Sequence, residues 1–395
     1  MARPADVDRI RHLFVITSPH LDLNQAQSQD NVMKRFLRAM LVLLSFSLLI
    51  FVYGCVPIPE NNIIEEITPI IFWSVQGGGE EDGKITISTL VPPLIREKKR
   101  VLTLKVSLLN EGNKGFNLTY YNELKAGQIR LLLVDEAYAK RGLTRLINTV
   151  LTDPNISQRL YLVITKGNFN EFLTNHLGET DNIDYYLYRM FKHYEKKKQG
   201  ELTVVNLHQF MKMLYSQVSD PQLPVFRAKG EQFLYEGTAF FDRDRMVAEI
   251  RGKDDQIKQL LYKDRFVRYL VLPDLSVTLG HIRAHTRKRL SPDLSSLSID
   301  IDVKGRIDEL DSLARIEDSS QYVELTQKIE RYLEENVIRL LSQMQKLQID
   351  PLQIGAVTAK PFYKPITRDT WDRHWSTMKI NVRVRLQLEP LTNVK

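Results

Sequence analysis

The stretch QIRLLLVDEAYAKRGLTRLINTVLTDPNISQRLYLVIT, residues 128–165, decides the fold class of the first half of the chain. Residues 129–134 form a short, mostly apolar run, which is typical of a strand buried on both faces. Apolar side chains then recur at helical spacing over 143–151, Asp153-Pro154 ends that pattern, and residues 160–165 form a second apolar run. Strand, helix and strand in this order predict a β-α-β unit with parallel strands.

Further elements are predicted on both sides of this unit. Residues 70–75 and 84–90 flank a glycine-rich segment and predict a hairpin, and residues 102–108 alternate with the period of a strand. Three more helices are predicted after the unit, over residues 169–176, 182–198 and 207–217. The first half is therefore expected to be a mixed α/β domain.

The second half of the chain has a different pattern. Alternating segments predict an antiparallel sheet, with strands at 235–241, 246–250, 267–272, 276–285, 298–307 and 380–388. Residues 321–347 carry an apolar stripe at helical spacing and predict one long helix packed on that sheet. The expected fold is α+β or mixed α/β and multidomain, with domains at 63–220 and 225–395 on either side of a proline-containing boundary at 219–224.

Cys55 is the only cysteine in 395 residues, which excludes an internal disulfide and a thiolate metal cluster. It follows three basic residues, Lys34, Arg35 and Arg38, and then the uncharged run 39–54. Basic residues, an apolar run and a small residue, in that order, are typical of a secretory signal. The run of 16 residues is shorter than the roughly 20 that a spanning helix needs.

The residues around the cysteine, Val52-Tyr-Gly-Cys55, are similar to the bacterial lipobox, in which the cysteine after a small residue is acylated. We therefore expect cleavage after Gly54 and lipid modification of Cys55. The expected division is a leader at 1–32, a signal peptide at 33–54 and a tether at 55–62. Translation is expected to begin at Met33. The alternative is an uncleaved signal anchor with an unmodified cysteine.

The charge balance restricts the partners. Without residues 1–54 the chain has 49 Lys/Arg and 44 Asp/Glu, a mild excess of positive charge. This excess is compatible with a position near anionic lipid headgroups and is too diffuse for nucleic acid, which requires a clustered basic patch. No later apolar run approaches membrane-spanning length, so the part after Cys55 is expected to be soluble.

Two motifs in the first half have a catalytic interpretation and a structural one, and the structural one is favoured. Gly77-Gly78-Gly79 lacks the lysine and the following helix of a phosphate-binding loop, so it predicts a hairpin turn. Asp135-Glu136 has the composition of a carboxylate pair, but acidic residues also favour the positive end of a helix dipole. A helix start is therefore expected there.

Two motifs in the second half suggest metal ligands. His281 and His285 have the spacing of zinc ligands on a helix, whereas the segment predicts a strand. Asp300 and Asp302 resemble the start of a calcium loop ending at Asp311, but Lys304 stands where an oxygen ligand is required. We therefore predict neither a metal nor another cofactor, and no catalytic residue.

The order of these segments resembles the C-subunit lipoproteins of spore germinant receptors. Five stretches of this sequence carry the resemblance: the signal end at 54–55 with 63–90; GQIRLLLVDE at 127–136 with KRGL at 140–143; DPNI at 153–156 with LYLVITKG at 160–167; EGTAFF at 236–241 with DRMV at 244–247; and the helix end LQIDP at 347–351 with 371–375 and the last strand. Val56-Pro57 departs from the family, in which Trp-Asp commonly follows the cysteine.

This resemblance implies a germinant receptor subunit, needed for germination and held on the outer face of the spore inner membrane by an acylated Cys55. It implies three domains in all, and no enzymatic activity. The implied partners are a transporter-like, multi-spanning subunit and a second membrane subunit. Two other functions stay open from the residues alone: a solute-binding lipoprotein of a transporter, and a surface hydrolase.

Overall fold

The computed structural model describes residues 33–47, 67–77, 84–91, 99–120, 122–175, 183–310, 318–359 and 365–389. The chain has two compact units, residues 1–62 and 63–395. In the first unit, residues 33–47 form helix α1, whose side chains are exposed. None of the helices in these ranges is both long enough and apolar enough to cross a membrane.

The first part of the larger unit follows the predicted order of elements closely. They are β1 (Ile67–Pro69), β2 (Phe72–Gly77), β3 (Ile85–Val91), β4 (Arg100–Val106), α2 (Leu109–Thr119), β5 (Glu123–Lys125), β6 (Leu131–Asp135), α3 (Glu136–Arg141), α4 (Thr144–Thr152), β7 (Tyr161–Lys166), α5 (Phe169–Asn175), α6 (Ile183–Lys197) and α7 (Leu207–Leu214). The predicted β2–β3 hairpin is antiparallel, and β6 and β7 are parallel. The β-α-β prediction is therefore confirmed.

Alternate residues of the buried strands explain why both faces of this sheet are covered. In β6, Leu132 and Val134 belong to a core shared with α2, α4 and α7. Leu131 and Leu133 belong to a second core on the opposite face, with α5 and α6. Because successive side chains of a strand point to opposite faces, the uninterrupted apolar run supplies both cores.

The helix predicted between β6 and β7 is divided in two at Gly142. Gly142 has φ +125° and ψ 141°, which a helix cannot contain and which favours glycine. The two residues after it bond to Asp244: the Leu143 amide donates to the Asp244 carbonyl at 3.0 Å, and the Thr144 amide donates to its carboxylate at 3.1 Å. The break therefore fixes the start of α4 against the turn that contains Asp244.

Replacing Gly142 with alanine is expected to destabilise the fold by about 1–3 kcal/mol. The new Cβ would lie 2.7 Å from the Asp244 carboxylate, in a backbone conformation that alanine rarely adopts. Gly230→Ala is the matched control, because Gly230 also has a positive φ (+58°) but no atom within 4 Å of its added Cβ. Urea unfolding of both variants measures the difference. Equal losses would show that the Asp244 contact contributes nothing.

The first sheet continues beyond the predicted boundary at 219–224. Strands β8 (Gln222–Lys229), β9 (Gln232–Asp242) and β10 (Arg245–Arg251) extend it, giving eight strands in the order β10-β9-β8-β7-β6-β2-β3-β4. β8 pairs with β7 in parallel, and β9 and β10 follow as antiparallel neighbours. The structural division between sheets therefore lies after Arg251, and the domain limits at 220 and 225 stay predictions.

The second part is a four-stranded sheet covered on one face by a long helix. Its elements are α8 (Gly252–Leu260), β11 (Asp264–Leu272), β12 (Val277–Leu290), β13 (Ser296–Leu310), α9 (Ser319–Lys346), α10 (Arg368–Thr377) and β14 (Lys379–Leu388), with the strand order β11-β12-β13-β14. The predicted long helix on a sheet is confirmed, and so is the α+β class. The inner face shares one core with Leu333, Val337 and Leu340 of α9.

The antiparallel prediction is wrong for the last strand. β14 pairs with β13 in parallel along ten residue pairs. The reason is the connection: α9 crosses the sheet and brings the chain back to the end from which β13 started, so the next strand runs the same way. Its register sets Asp300 beside Arg383 and Asp302 beside Arg385.

Candidate functional site

The two residues predicted to carry the lipid modification, Gly54 and Cys55, lie outside the described residues. Their roles as cleavage site and acylation site therefore remain predictions. Gly78, Gly79 and Asp311 also lie outside the described residues. The described residues among those singled out lie at the carboxyl ends of the parallel strands or on the second sheet, and their geometry restricts what each can do.

Asp135 and Glu136 occupy the predicted helix start. The Asp135 carboxylate caps α3 by accepting from the Tyr138 amide at 3.2 Å, while Glu136 pairs with Lys140 at 2.8 Å and with Lys166 at 3.5 Å. Lys166, at the end of β7, is 5% exposed and also pairs with Glu249 of β10. Asp135 is thus engaged with a backbone amide and Glu136 with two lysines, and not with each other.

This charge cluster is arranged to hold strand ends together, not to transfer protons. Burial alone would raise the pKa of Glu249, but hydrogen bonds from Arg251 and Lys166 bring that pKa below its usual value. The pKa of Glu136 is also lowered, because Lys140 and Lys166 outweigh its burial. A general acid at neutral pH needs the opposite shift, so both carboxylates remain charged partners of Lys166.

A second cluster, the Lys258 cluster, is fully enclosed between the two sheets. The Lys258 side chain has 0% exposure, and its amine lies 3.0 Å from the Asp255 carboxylate. It donates at 2.6 Å to the hydroxyls of both Thr203 and Thr238. The Tyr235 hydroxyl donates to the other Asp255 oxygen at 2.6 Å. Every member therefore has a polar partner, as a buried ion pair requires.

The Lys258 cluster connects separate elements rather than forming an open site. Lys258 and Asp255 belong to α8, Tyr235 and Thr238 to β9, and Thr203 to the segment before α7. Burial, followed by the charge of Asp255, raises the pKa of Tyr235 well above its ordinary value, so its phenol stays protonated and donating. The arrangement fixes α8, and the second sheet that follows it, against the first.

A third cluster, the Arg368 joint, links the segment before β8 to the far end of the second sheet. The Arg368 guanidinium donates to Asp220 at 2.8 Å and to Asp372 at 2.9 Å. Asp220 also accepts from the Asp350 amide at 2.7 Å. The Asp350 carboxylate, which is 1% exposed, accepts from the amides of Ile354 and Gly355 at 2.9 and 2.7 Å.

Burial raises the pKa of both aspartates of this joint. The pKa of Asp350 rises to about 6, despite two amide donors and the nearby Lys288. The pKa of Asp220 is raised by its burial, although Arg368 opposes the shift. Of these two aspartates only Asp220 is bonded to the guanidinium, so the buried charge of Asp220 depends on Arg368.

The outer face of the second sheet carries many charged side chains. We call it the open face; on β12, β13 and β14 it comprises Arg283, His285, Arg287, Arg289, Ser298, Asp300, Asp302, Lys304, Asn381, Arg383, Arg385 and Gln387. The alternate residues between them face the core. The histidines and aspartates predicted to lie on strands are therefore confirmed as strand residues, on β12 and β13.

The geometry explains the role of the residues with a metal-site interpretation. His285 lies 2.8 Å from the Asp264 carboxylate, and Asp302 accepts from Arg287 and Arg385 at 2.8 and 2.6 Å. Asp300 pairs with Arg289. Within the described ranges there is no group of three or more His, Cys, Asp or Glu able to hold a metal ion. Asp311 lies outside those ranges.

Positive charge exceeds negative charge on the open face. It holds six Lys/Arg side chains and two aspartates, and Arg287, Arg289 and Arg385 form the ion pairs with those aspartates. In the described part of the chain, Arg283, Lys304 and Arg383 have no ion-pair partner, and all three are exposed. Arg283 stands directly opposite Lys304 across the β12–β13 ladder, a like-charge position that destabilises a sheet.

The free edge of the same sheet, along β14, is capped by side chains of α9. The Val384 amide donates to Glu334 at 2.8 Å, and the Leu386 amide donates to Glu330 at 2.7 Å. These amides would otherwise be available to an added strand, as edge amides commonly are. The carboxylates therefore occupy the hydrogen-bonding positions that strand addition would use.

Two fused sheets, buried ionic joints and a charged sheet face define a multidomain α+β protein. Comparison with known proteins gives its class. Residues 60–228 match the family described as "Spore germination protein N-terminal domain", and residues 236–390 match "Spore germination B3/GerAC like, C-terminal". The two matches cover most of the chain, so the protein belongs to the GerAC-type family of spore germination proteins, as the resemblance predicted.

Two curated relatives agree with this membership. The chain is 21% identical over 267 residues to the spore germination protein GerQC of Bacillus cereus, covering 66% of this chain and 73% of GerQC. It is 22% identical over 298 residues to YfkR of Bacillus subtilis (strain 168), provisionally named as a spore germination protein, covering 69% and 74%. The crystal structure of the GerBC protein aligns with 80% of this chain and 97% of its own, with 11% identity and a TM-score of 0.46.

Proposed function

We propose that this chain is the lipid-anchored subunit of a spore nutrient-germinant receptor and acts through protein contacts at the membrane. The observation that carries the proposal is the match of both halves of the chain to spore germination domains. In this proposal the partners are a transporter-like membrane subunit and a second membrane subunit. The location is the outer face of the spore inner membrane.

The chemistry of the described residues supports a contact role. The Glu136–Lys166–Glu249 cluster consists of carboxylates with lowered pKa values in ion pairs, and the Lys258 cluster is enclosed. Neither arrangement offers a poised acid or base to a substrate. In this proposal Cys55 carries the lipid that holds the protein at the membrane. Two acyl chains, at about 0.8 kcal/mol per buried methylene, hold a protein far more firmly than one.

Replacing Cys55 with alanine is expected to release the chain from the membrane fraction and to delay germination in response to nutrients. The substitution removes the only sulfur that can carry the lipid, and it lies before both described sheets. Membrane fractionation, mass spectrometry of the mature N-terminus and co-purification with the two membrane subunits measure the outcome. Val56→Ala, which leaves the thiol in place, serves as the matched control.

The result that contradicts the anchor is a wild-type chain whose Cys55 carries no acyl group. The result that contradicts the receptor role is different: a strain lacking this chain and its close relatives that germinates at the normal rate. The two measurements are independent, since the first concerns one sulfur atom and the second the whole protein.

A further inference from the structure

We propose that the open face of the second sheet docks against an anionic phospholipid bilayer. The inference rests on the proposed function in one respect, because an acylated Cys55 would keep the sheets close to a membrane. From Cys55 to Ile67 there are twelve residue steps, which span at most about 40 Å. Which side of the two sheets faces the bilayer then depends on the surface properties of the sheets themselves.

The first argument is the unbalanced charge. Arg283, Lys304 and Arg383 are exposed cations without an ion-pair partner in the described ranges, on a face where the aspartates are already paired. The Arg283–Lys304 opposition costs stability in the isolated sheet. An anionic surface would offset that repulsion by giving both cations a counter-charge.

The second argument is shape. From Arg283 to Arg289 the strand β12 extends about 20 Å at 3.4 Å per residue, and the cations recur on three adjacent strands. Such an arrangement is broad and two-dimensional, which suits the plane of lipid phosphates. A peptide strand would instead use the sheet edge, where Glu330 and Glu334 already accept from the β14 amides.

The third argument is the apolar margin of the face. Tyr269 and Val271 of β11 are 50% and 42% exposed and pair with Gly280 and Thr278 of β12. Asp308 and Glu309 of β13 stand beside Gly280 and Thr278 at this margin, and the cations of the open face begin farther along β12 at Arg283. An exposed aromatic ring and an aliphatic side chain at the border of a cationic surface can enter the headgroup region of a membrane. The face therefore provides both electrostatic attraction and shallow apolar contact.

The test uses the full chain on vesicles and compares two glutamines on opposite sides of the sheet. Gln387 is exposed on the open face, and Gln327 is exposed on α9, which covers the other face. Gln387→Cys and Gln327→Cys variants are labelled with a fluorophore that headgroup-labelled lipids quench. Vesicles contain either phosphatidylcholine alone or phosphatidylcholine with phosphatidylglycerol, and the parent chain gives the background from Cys55.

The expected result is quenching at position 387 and not at 327, only with phosphatidylglycerol. Raising the salt to about 0.5 M should reduce it, since exposed charges are screened over less than 10 Å under those conditions. Arg283→Glu/Lys304→Glu/Arg383→Glu should lower the quenching at 387 to the phosphatidylcholine level. Lys192→Glu/Lys196→Glu/Lys212→Glu, on α6 and α7, is the charge-matched control and should leave it unchanged.

Equal quenching at the two positions, or quenching that does not depend on lipid charge, would overturn the docking proposal even if Cys55 is acylated. Conversely, Cys55 could carry no acyl group while an excess of anionic vesicles still quenches the label at 387 and not the label at 327. That result would refute the lipid anchor and support the docking of the open face. Thermal unfolding of both triple variants confirms that the comparison is made between folded proteins.

Discussion

Replacing Lys258 with methionine is expected to lower the free energy of unfolding by about 3–5 kcal/mol, because it leaves an uncompensated charge inside the protein. Asp255 is 4% exposed and would lose the only cation within reach in the described structure. The hydroxyls of Thr203 and Thr238 would each lose the hydrogen bond that the Lys258 amine donates to them. Urea unfolding of the full chain, followed by circular dichroism, measures the loss.

Lys253→Met is the matched control on the same helix. Lys253 also forms an ion pair, with Asp274 at 2.7 Å, but both side chains are exposed to solvent, and such pairs contribute about 0–1 kcal/mol. The double variant Lys258→Met/Asp255→Asn should recover part of the loss, since no charge then remains unpaired. If Lys258→Met is as stable as the control, the cluster does not hold α8 in place.

The elements of this fold could be predicted where a local pattern determines them. The run at 129–134 gave a strand with two buried faces, and the stripe over 321–347 gave the long helix α9. In both cases the side chains that determine the secondary structure are close neighbours in the sequence, within one or two helical turns or strand pleats. The family was predicted from the order of such segments, and the match of both halves confirms it.

What could not be predicted depends on contacts between distant residues. Nothing in the sequence 222–251 indicates that β8 pairs with β7, so that β8, β9 and β10 extend the first sheet instead of starting a new one. The reason is that β7 lies more than fifty residues before β8. The break at Gly142 was missed because the apolar spacing continues on both sides of it. Its cause is Asp244, a hundred residues away.

The clusters were missed for the same reason. Lys258 lies in an ordinary polar helix sequence, and its hydroxyl partners are 20 and 55 residues away. The alternating sequence predicted that Asp300, Asp302 and Lys304 lie on one strand and Arg383 and Arg385 on another. It did not predict that these two strands pair with each other. The registers of β12, β13 and β14 together show which cations are paired with aspartates and which are not.

Replacing Arg368 with methionine is expected to destabilise the protein by about 3–5 kcal/mol at pH 8 and by less at pH 5. The side chain of Asp220 is 2% exposed and depends on Arg368, which pairs with it at 2.8 Å. Methionine fills similar volume, so the loss should be mainly electrostatic. Arg373→Met on the same helix is the control, because Arg373 is exposed and its guanidinium bonds only to Asp369 and Thr370 in the described structure.

The pH dependence follows from the raised pKa values of the joint. A carboxyl whose pKa is raised in the folded state contributes most below its unfolded value, and that contribution is lost as the pH rises through the folded value. For Asp350 this window runs from 3.8 to about 6. Without Arg368 the pKa of Asp220 should rise further, so the variant should lose stability over a wider range of rising pH than the wild type does.

Unfolding at pH 5 and pH 8 therefore separates charge from packing. A deficit that is larger at pH 8 identifies Arg368 as the counter-ion of the buried Asp220. A deficit of the same size at both values would contradict this and assign the effect to lost packing. Because the joint ties the segment before β8 to the end of the second sheet, an electrostatic deficit would also show that the Arg368–Asp220 ion pair is one of the contacts that link the two sheets.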